Sequence, residues 1–170
     1  ITLDSTADAE YAEWLVKRRF LLRASASFAL IETLRLEDGR YWLEAGHLAR
    51  LQGSAEHFGF DLTATTVPAA LAEVARNHPR GIWKVRLQLD RQGRIETKCH
   101  ALDAAPEEII VAWATTPVAS DDEFLGHKTT VREVYTRHAP PAGVFDTLLW
   151  NKRDELTEFT RGNVVVELDG

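Results

Sequence analysis

Methionine is absent from all 170 residues, and cysteine occurs once, at Cys99. A lone thiol cannot close an internal disulfide, and nothing in the chain asks for an oxidising compartment. No apolar stretch is long enough to cross a bilayer and no signal peptide precedes the first segment, so the cytosol is the expected location, with no membrane partner. Positive charge is scarce: 20 Lys and Arg against 26 Asp and Glu leave a formal net charge of -6, which argues against a nucleic-acid partner. The basic run Lys17-Arg18-Arg19 with Arg23 reads as a solvated helix face. The six histidines show no metal-ligand spacing and Cys99-His100 stands alone, so no metal is expected. Gly-rich phosphate loops, G-x-S-x-G and H-E-x-x-H are missing, as are internal repeats and low-complexity tracts.

What is present is a chain with 45% hydrophobic residues, enough for a true core in one domain, or one domain and part of a second. Thr6 to about Arg23 reads as a charged helix, with Asp4 and Ser5 able to accept from its first free amides. Ala24-Ser25-Ala26-Ser27 breaks the pattern as a linker. Phe28, Leu30, Leu34 and Leu36 alternate as a strand whose apolar face Glu32 interrupts. Asp38-Gly39 is a hairpin turn into Arg40-Tyr41-Trp42-Leu43. Ala45 to Phe58 has helical apolar spacing and ends at Gly59, and Pro68 opens a second helix with Leu71, Val74 and Ala75 inward.

Trp83, Val85, Leu87 and Leu89 form a half-buried strand, which Asp90-Arg91-Gln92-Gly93 turns into Arg94 to Leu102. The apolar run Glu108 to Thr115 reads as a third strand of that group, buried on both faces. The polar stretch from Thr116-Pro117 through Glu123 is the best domain boundary. Beyond it, Val131, Val134, Tyr135 and His138 stripe a helix, Asp146 to Trp150 and Leu156 to Glu158 flank a turn at Asn151-Lys152-Arg153-Asp154, and Val164 to Leu168 reads as a further strand. Segregated helices and strands predict an α+β fold with a mostly antiparallel sheet and a two-layer N-terminal domain.

Two segments carry a more specific signal: Leu125-Gly126-His127-Lys128-Thr129-Thr130-Val131-Arg132-Glu133-Val134-Tyr135, and Leu156-Thr157-Glu158-Phe159-Thr160-Arg161-Gly162-Asn163. Together they resemble the lysine segment and glutamate loop of the fold-type IV pyridoxal-phosphate enzymes. The resemblance implies pyridoxal 5′-phosphate as the cofactor, held by Lys128 as a Schiff base, with Glu158 against the pyridine nitrogen. Such a lysine must react as the free amine, whereas an exposed lysine titrates near ~10.4; burial or a neighbouring cation lowers that value. A carboxylate at the ring nitrogen keeps the ring cationic and able to accept an electron pair.

The segment Gly46 to Ala55 resembles the family's helix that ends in an arginine near the cofactor phosphate. Arg50 lies beside the apolar face, and its guanidinium suits phosphate. Thr160, Arg161 and Gly162 would add a hydroxyl or backbone amides to that phosphate, with Asn163 pinning the loop. Glu32 and Thr33 fall where the family lines its substrate side, and Thr33 is an alternative to Lys128 for returning a proton. Arg86 could meet a substrate carboxylate but reads more simply as strand-face solvation, and Tyr135 reads as core.

Ile1 to Glu13, with Lys17, resembles the closing segment of chorismate-binding enzymes. That implies an aminodeoxychorismate synthase domain upstream in the same chain, ending with residues 1–27. Residues 28–119 would be the small N-terminal domain of a 4-amino-4-deoxychorismate lyase, and 120–170 the start of its larger, pseudo-barrel domain. The implied reaction gives 4-aminobenzoate and pyruvate for folate synthesis from a small-molecule substrate, in a homodimer. The alternatives are an aminotransferase on the same fold or a catalytically incomplete fragment. A start at Ile1, the missing methionine and an end inside a strand-like segment make an excerpt, inactive alone, the expectation.

Overall fold

The computed structural model describes residues 27–104 and 106–168. The expected helix over Thr6 to Arg23 and the synthase-like segment lie outside the described residues. The first layer is a sheet of order β2-β1-β3-β4, built from β1 (Leu30–Glu37), β2 (Arg40–Tyr41), β3 (Ile82–Leu89) and β4 (Ile95–Ala101). All its pairings are antiparallel. Two helices separate β2 from β3: α1 (Glu44–Phe58) and α2 (Thr66–Asn77).

Alternation explains the core. Leu30, Leu34 and Leu36 from β1 and Val85, Leu87 and Leu89 from β3 fill one sheet face, against Leu51, Ala55 and Phe58 of α1 and Leu71 of α2. Asp38 and Gly39 both take positive φ, 45° and 78°, as a tight two-residue hairpin requires. Gly59 ends α1 in the left-handed conformation, donating its amide to Ala55 O and Glu56 O. Helix α2 begins at Thr66 rather than at Pro68; the proline occupies the first turn, where its missing N–H has no intrahelical partner to lose.

Gly93 takes φ +80° in the β3–β4 turn, and a Cβ there would stand 2.8 Å from Asp61 O. Gly93→Ala is therefore expected to cost about 1–3 kcal/mol, from a strained backbone and a backbone clash together. The measurement is the denaturant midpoint, and an unchanged midpoint would contradict the assignment.

The second layer is a sheet of order β5-β6-β7: β5 (Val111–Trp113), β6 (Asp146–Trp150) and β7 (Leu156–Phe159). Strand β5 corrects the expectation for Glu108 to Thr115. It has three residues, pairs parallel with β6 rather than joining the first sheet, and lies on a sheet edge. Its apolar run is exposed, Ile110 at 70% and Trp113 at 63%. An uninterrupted apolar run cannot say which sheet it joins or whether both faces are covered.

The stripe expected from Val131 to His138 is also divided. Only Glu133–Arg137 is helical (α3); Val131 packs on the first core, while Val134 and Tyr135 pack on a small second core around Ala114, Val118 and Leu149. Val164 to Leu168 forms no strand, and Val165 is 92% exposed. Among the described residues, no helix is long and apolar enough to cross a membrane.

The segment before α3 ties the layers together. Phe124 packs edge-on against Phe28 at 5.4 Å and stacks on Phe58 at 5.6 Å. Ile31 N donates to Lys128 O at 2.9 Å, Thr130 N to Ala29 O at 2.9 Å, and Ala29 N to the Thr130 hydroxyl at 2.9 Å. Residues 128–130 thus run along the free edge at the start of β1.

Candidate active site

Lys128 enters the site on that edge, its backbone fixed by β1. Glu158 arrives from β7, and the two line one cavity of about 250 Å³ together with Arg132 and the loop Thr160 to Val164. Both ionisable groups are shifted, in opposite senses. Burial lowers the Lys128 amine, and Arg50 and Arg132 push the same way, against Glu32 and Glu158. Burial raises Glu158, against a hydrogen bond from Tyr135 and the charges of Lys128 and Arg132. The cavity therefore shifts the amine toward its uncharged form, the one that attacks an aldehyde.

Arg50 lies on the face of α1 that looks towards β1. Its Nε donates to Glu32 Oε1 at 2.7 Å, and a terminal nitrogen donates to Glu32 Oε2 at 2.5 Å. His47 Nδ1 lies 2.7 Å from the same Oε2. This explains why an acid interrupts the apolar face of β1. Glu32 is only 2% exposed, and its charge is met by a two-point guanidinium contact. The i, i+3 spacing of His47 and Arg50 opposite that acid was a legible signal, but without the fold nothing assigned the acid to them.

The loop donors expected to face a phosphate are committed elsewhere. The Thr160 hydroxyl donates to Asp146 Oδ1, and the amides of Arg161 and Gly162 donate to Asp146 Oδ2 at 3.1 Å and 2.8 Å. The Thr147 amide adds a bond to Oδ1 at 2.8 Å. Asp146, not Asn163, pins this loop; Asn163 is exposed. At the head of an apolar strand Asp146 carried no signal of its own, and only its burial reveals the role. Arg161 turns its guanidinium to Phe145 O at 2.5 Å.

Thr33 alternates with Glu32 and so lies on the other face of β1, half-buried, opposite Arg86 on β3. Among the described residues it does not line the Lys128 cavity. Arg132, which no sequence signal singled out, donates to Thr160 O and sits 3.8 Å over the Tyr135 ring. Among the described residues, no group of His, Cys, Asp and Glu is placed to hold a metal.

A half-buried lysine between cations, facing a half-buried glutamate across a small cavity, is an arrangement for carbonyl chemistry at an amine. Residues 29–170 match the class IV amino-transferase family, and the chain belongs to that family, whose members depend on pyridoxal phosphate. A solved structure from Mesorhizobium loti, assigned as an amino-acid aminotransferase, is 31% identical with a TM-score of 0.69, covering 78% of this chain and 67% of that one. The 4-amino-4-deoxychorismate lyase of Pseudomonas aeruginosa superposes with a TM-score of 0.60 at 19% identity, covering 78% of this chain and 56% of that one. A hypothetical aminotransferase from Mycobacterium tuberculosis, in its alpha-ketoglutarate and PMP bound form, has a TM-score of 0.67 at 19% identity, with 82% and 58% covered. The chain thus spans little more than half of the last two. No curated protein sequence matches it significantly.

Proposed function

We propose that the chain carries the Lys128 site of a pyridoxal-phosphate lyase that converts 4-amino-4-deoxychorismate to 4-aminobenzoate and pyruvate for folate synthesis. The observation that carries the reading is the shared cavity of Lys128 and Glu158, which suits the cofactor. The amine is half-buried and holds its proton less firmly than an exposed lysine, a carboxylate stands within the same cavity, and Arg50 supplies cationic charge nearby. Of the five donors on Arg50, the Glu32 contacts use Nε and one terminal nitrogen; the other terminal nitrogen remains to serve a phosphate.

When bound, the cofactor supplies an electron sink for the pair left by a breaking carbon-hydrogen bond. The protein's part is proton handling and orientation. Lys128 Nζ would hold the cofactor and then take the proton from the carbon bearing nitrogen. Loss of the enolpyruvyl group aromatises the ring, and Lys128 would return the proton to that leaving group to give pyruvate. Glu158 presents its charge to the ring nitrogen, and Arg132 favours the neutral amine. The lyase reading rests on the chorismate-enzyme-like segment at Ile1 to Lys17, and it carries with it an upstream synthase domain, a homodimer and a cytosolic setting.

The second reading, an aminotransferase, is favoured by the likeness to the Mesorhizobium loti protein. An assay of the complete protein with pyridoxal phosphate separates the two. The lyase is expected to release 4-aminobenzoate and pyruvate together with no keto acid present. Turnover that requires a keto acid and passes it an amine would replace the lyase by the aminotransferase.

A further inference from the structure

Tyr135 sits one turn beyond Arg132, and its apolar neighbours had marked it as core. Its ring does pack on the second core. Its hydroxyl, however, leaves that core and donates to Glu158 Oε1 at 3.0 Å, joining α3 to β7. The ring is held from the other side by the Arg132 guanidinium, 3.8 Å from the centroid. Arg132 is itself tied to the Thr160 carbonyl. Four residues are therefore locked in sequence: the Thr160 carbonyl, the Arg132 guanidinium, the Tyr135 phenol and the Glu158 carboxylate.

We propose that Tyr135 is the positioning residue of Glu158: its hydroxyl fixes Oε1 and so leaves Oε2 as the acceptor turned to the cofactor ring. The inference rests on the reading that Glu158 faces the ring nitrogen. A half-buried carboxylate resists ionisation, and the groups that oppose this at Glu158 are Tyr135, Lys128 and Arg132. The phenol is well suited to the task. Burial, then the adjacent Glu158, hold it far above the usual tyrosine range, so it remains a donor wherever Glu158 is charged. Removing the hydroxyl while keeping the ring should leave the second core filled, yet free the carboxylate to rotate and to take up a proton at higher pH.

The test compares the affinity of the complete apoprotein for pyridoxal phosphate with its affinity for the 1-deaza analogue, in which CH replaces the ring nitrogen. The ratio of the two dissociation constants reads the nitrogen contact alone, apart from phosphate binding and from turnover. In the parent the ratio should favour the natural cofactor, and Glu158→Gln should abolish it. If Glu158→Gln leaves the ratio intact, the underlying reading fails. Given that the ratio depends on Glu158, Tyr135→Phe is expected to shrink it about three- to tenfold, the worth of one ordinary net hydrogen bond. It should also move to higher pH the point at which the preference disappears on acidification. In a Glu158→Gln background, Tyr135→Phe should change nothing further. An unchanged ratio and pH midpoint in Tyr135→Phe would overturn the inference, and so would an equal loss of both ligands that persists in the Glu158→Gln background.

Discussion

Lys128→Ala is expected to remove the borohydride-stable pyridoxyl label from the complete protein and to lower turnover by about 10³-fold, within the range for loss of a positioned acid-base group. The expectation follows from the cavity: Lys128 is the one amine that lines it among the described residues. Labelling should also follow the lowered pKa of this amine. Burial, with Arg50 and Arg132, frees it of its proton below the ~10.4 of a solvent lysine, so the pH profile of labelling should rise earlier than that of free lysine.

The sign for stability is the reverse of the sign for reactivity. Because the folded pKa is depressed, the unfolded chain binds more protons between the folded pKa and ~10.4, and stability attributable to Lys128 rises with pH across that window. At pH 7 the lowered pKa therefore weighs against folding, and alanine relieves it. Activity should vanish while the denaturant midpoint holds or rises. Mass spectrometry of the reduced, digested protein decides the case. A label that persists undiminished in Lys128→Ala would transfer the role to another lysine, such as Lys84 or Lys98.

Asp146→Ala is expected to cost about 3 kcal/mol or more of stability, because it strands three amides and one hydroxyl in a buried place. Asp146 is fully buried, yet it accepts from Thr147, Thr160, Arg161 and Gly162. Burial alone would raise its pKa; the bonds from Thr160, Gly162, Thr147 and Arg161 outweigh it and hold the carboxyl below the usual range. A depressed carboxylate stabilises above its unfolded pKa, ~3.9, and that contribution fades as pH falls through the folded value. The parent should therefore lose stability steeply in acid, and Asp146→Asn should be weaker at neutral pH with a flatter acid limb. Denaturant titrations from pH 2 to about 7 test both statements. Equal acid slopes for parent and Asp146→Asn would remove Asp146 from this role.

The sequence disclosed most of the first layer because each element there has one covered face. Leu30 to Leu36 and Trp83 to Leu89 alternate as half-buried strands must, and Asp38-Gly39 and Gly59 mark their turns by left-handed geometry. It misplaced Glu108 to Thr115 because an apolar run carries no record of its partner. It joined Val131 to Val134 wrongly because a helical stripe reads as one surface even when its residues serve two cores. In the site, Lys128 and Glu158 were legible through a resemblance rather than through any property of the two residues. Glu32, Arg132, Tyr135 and Asp146 were not assigned their contacts because the partners lie beyond local pattern: the Thr160–Asp146 bond spans 14 residues, Arg50–Glu32 18, Tyr135–Glu158 23 and Arg132–Thr160 28.

The bond from Ala29 N to the Thr130 hydroxyl spans 101 residues. The β1–α1 and β3–β4 neighbours meet over much shorter loops, whose closure costs less chain entropy and rewards the chain sooner. The edge of β1 must exist before residues 128–130 have anything to join. The surroundings of Lys128 are thus expected to form late in folding: a chain that has not yet made this closure presents Lys128 to water as an ordinary lysine. Completion of the long-range closure lowers its hold on the proton, so the finished fold is expected to react with an aldehyde at lower pH than an unfinished chain.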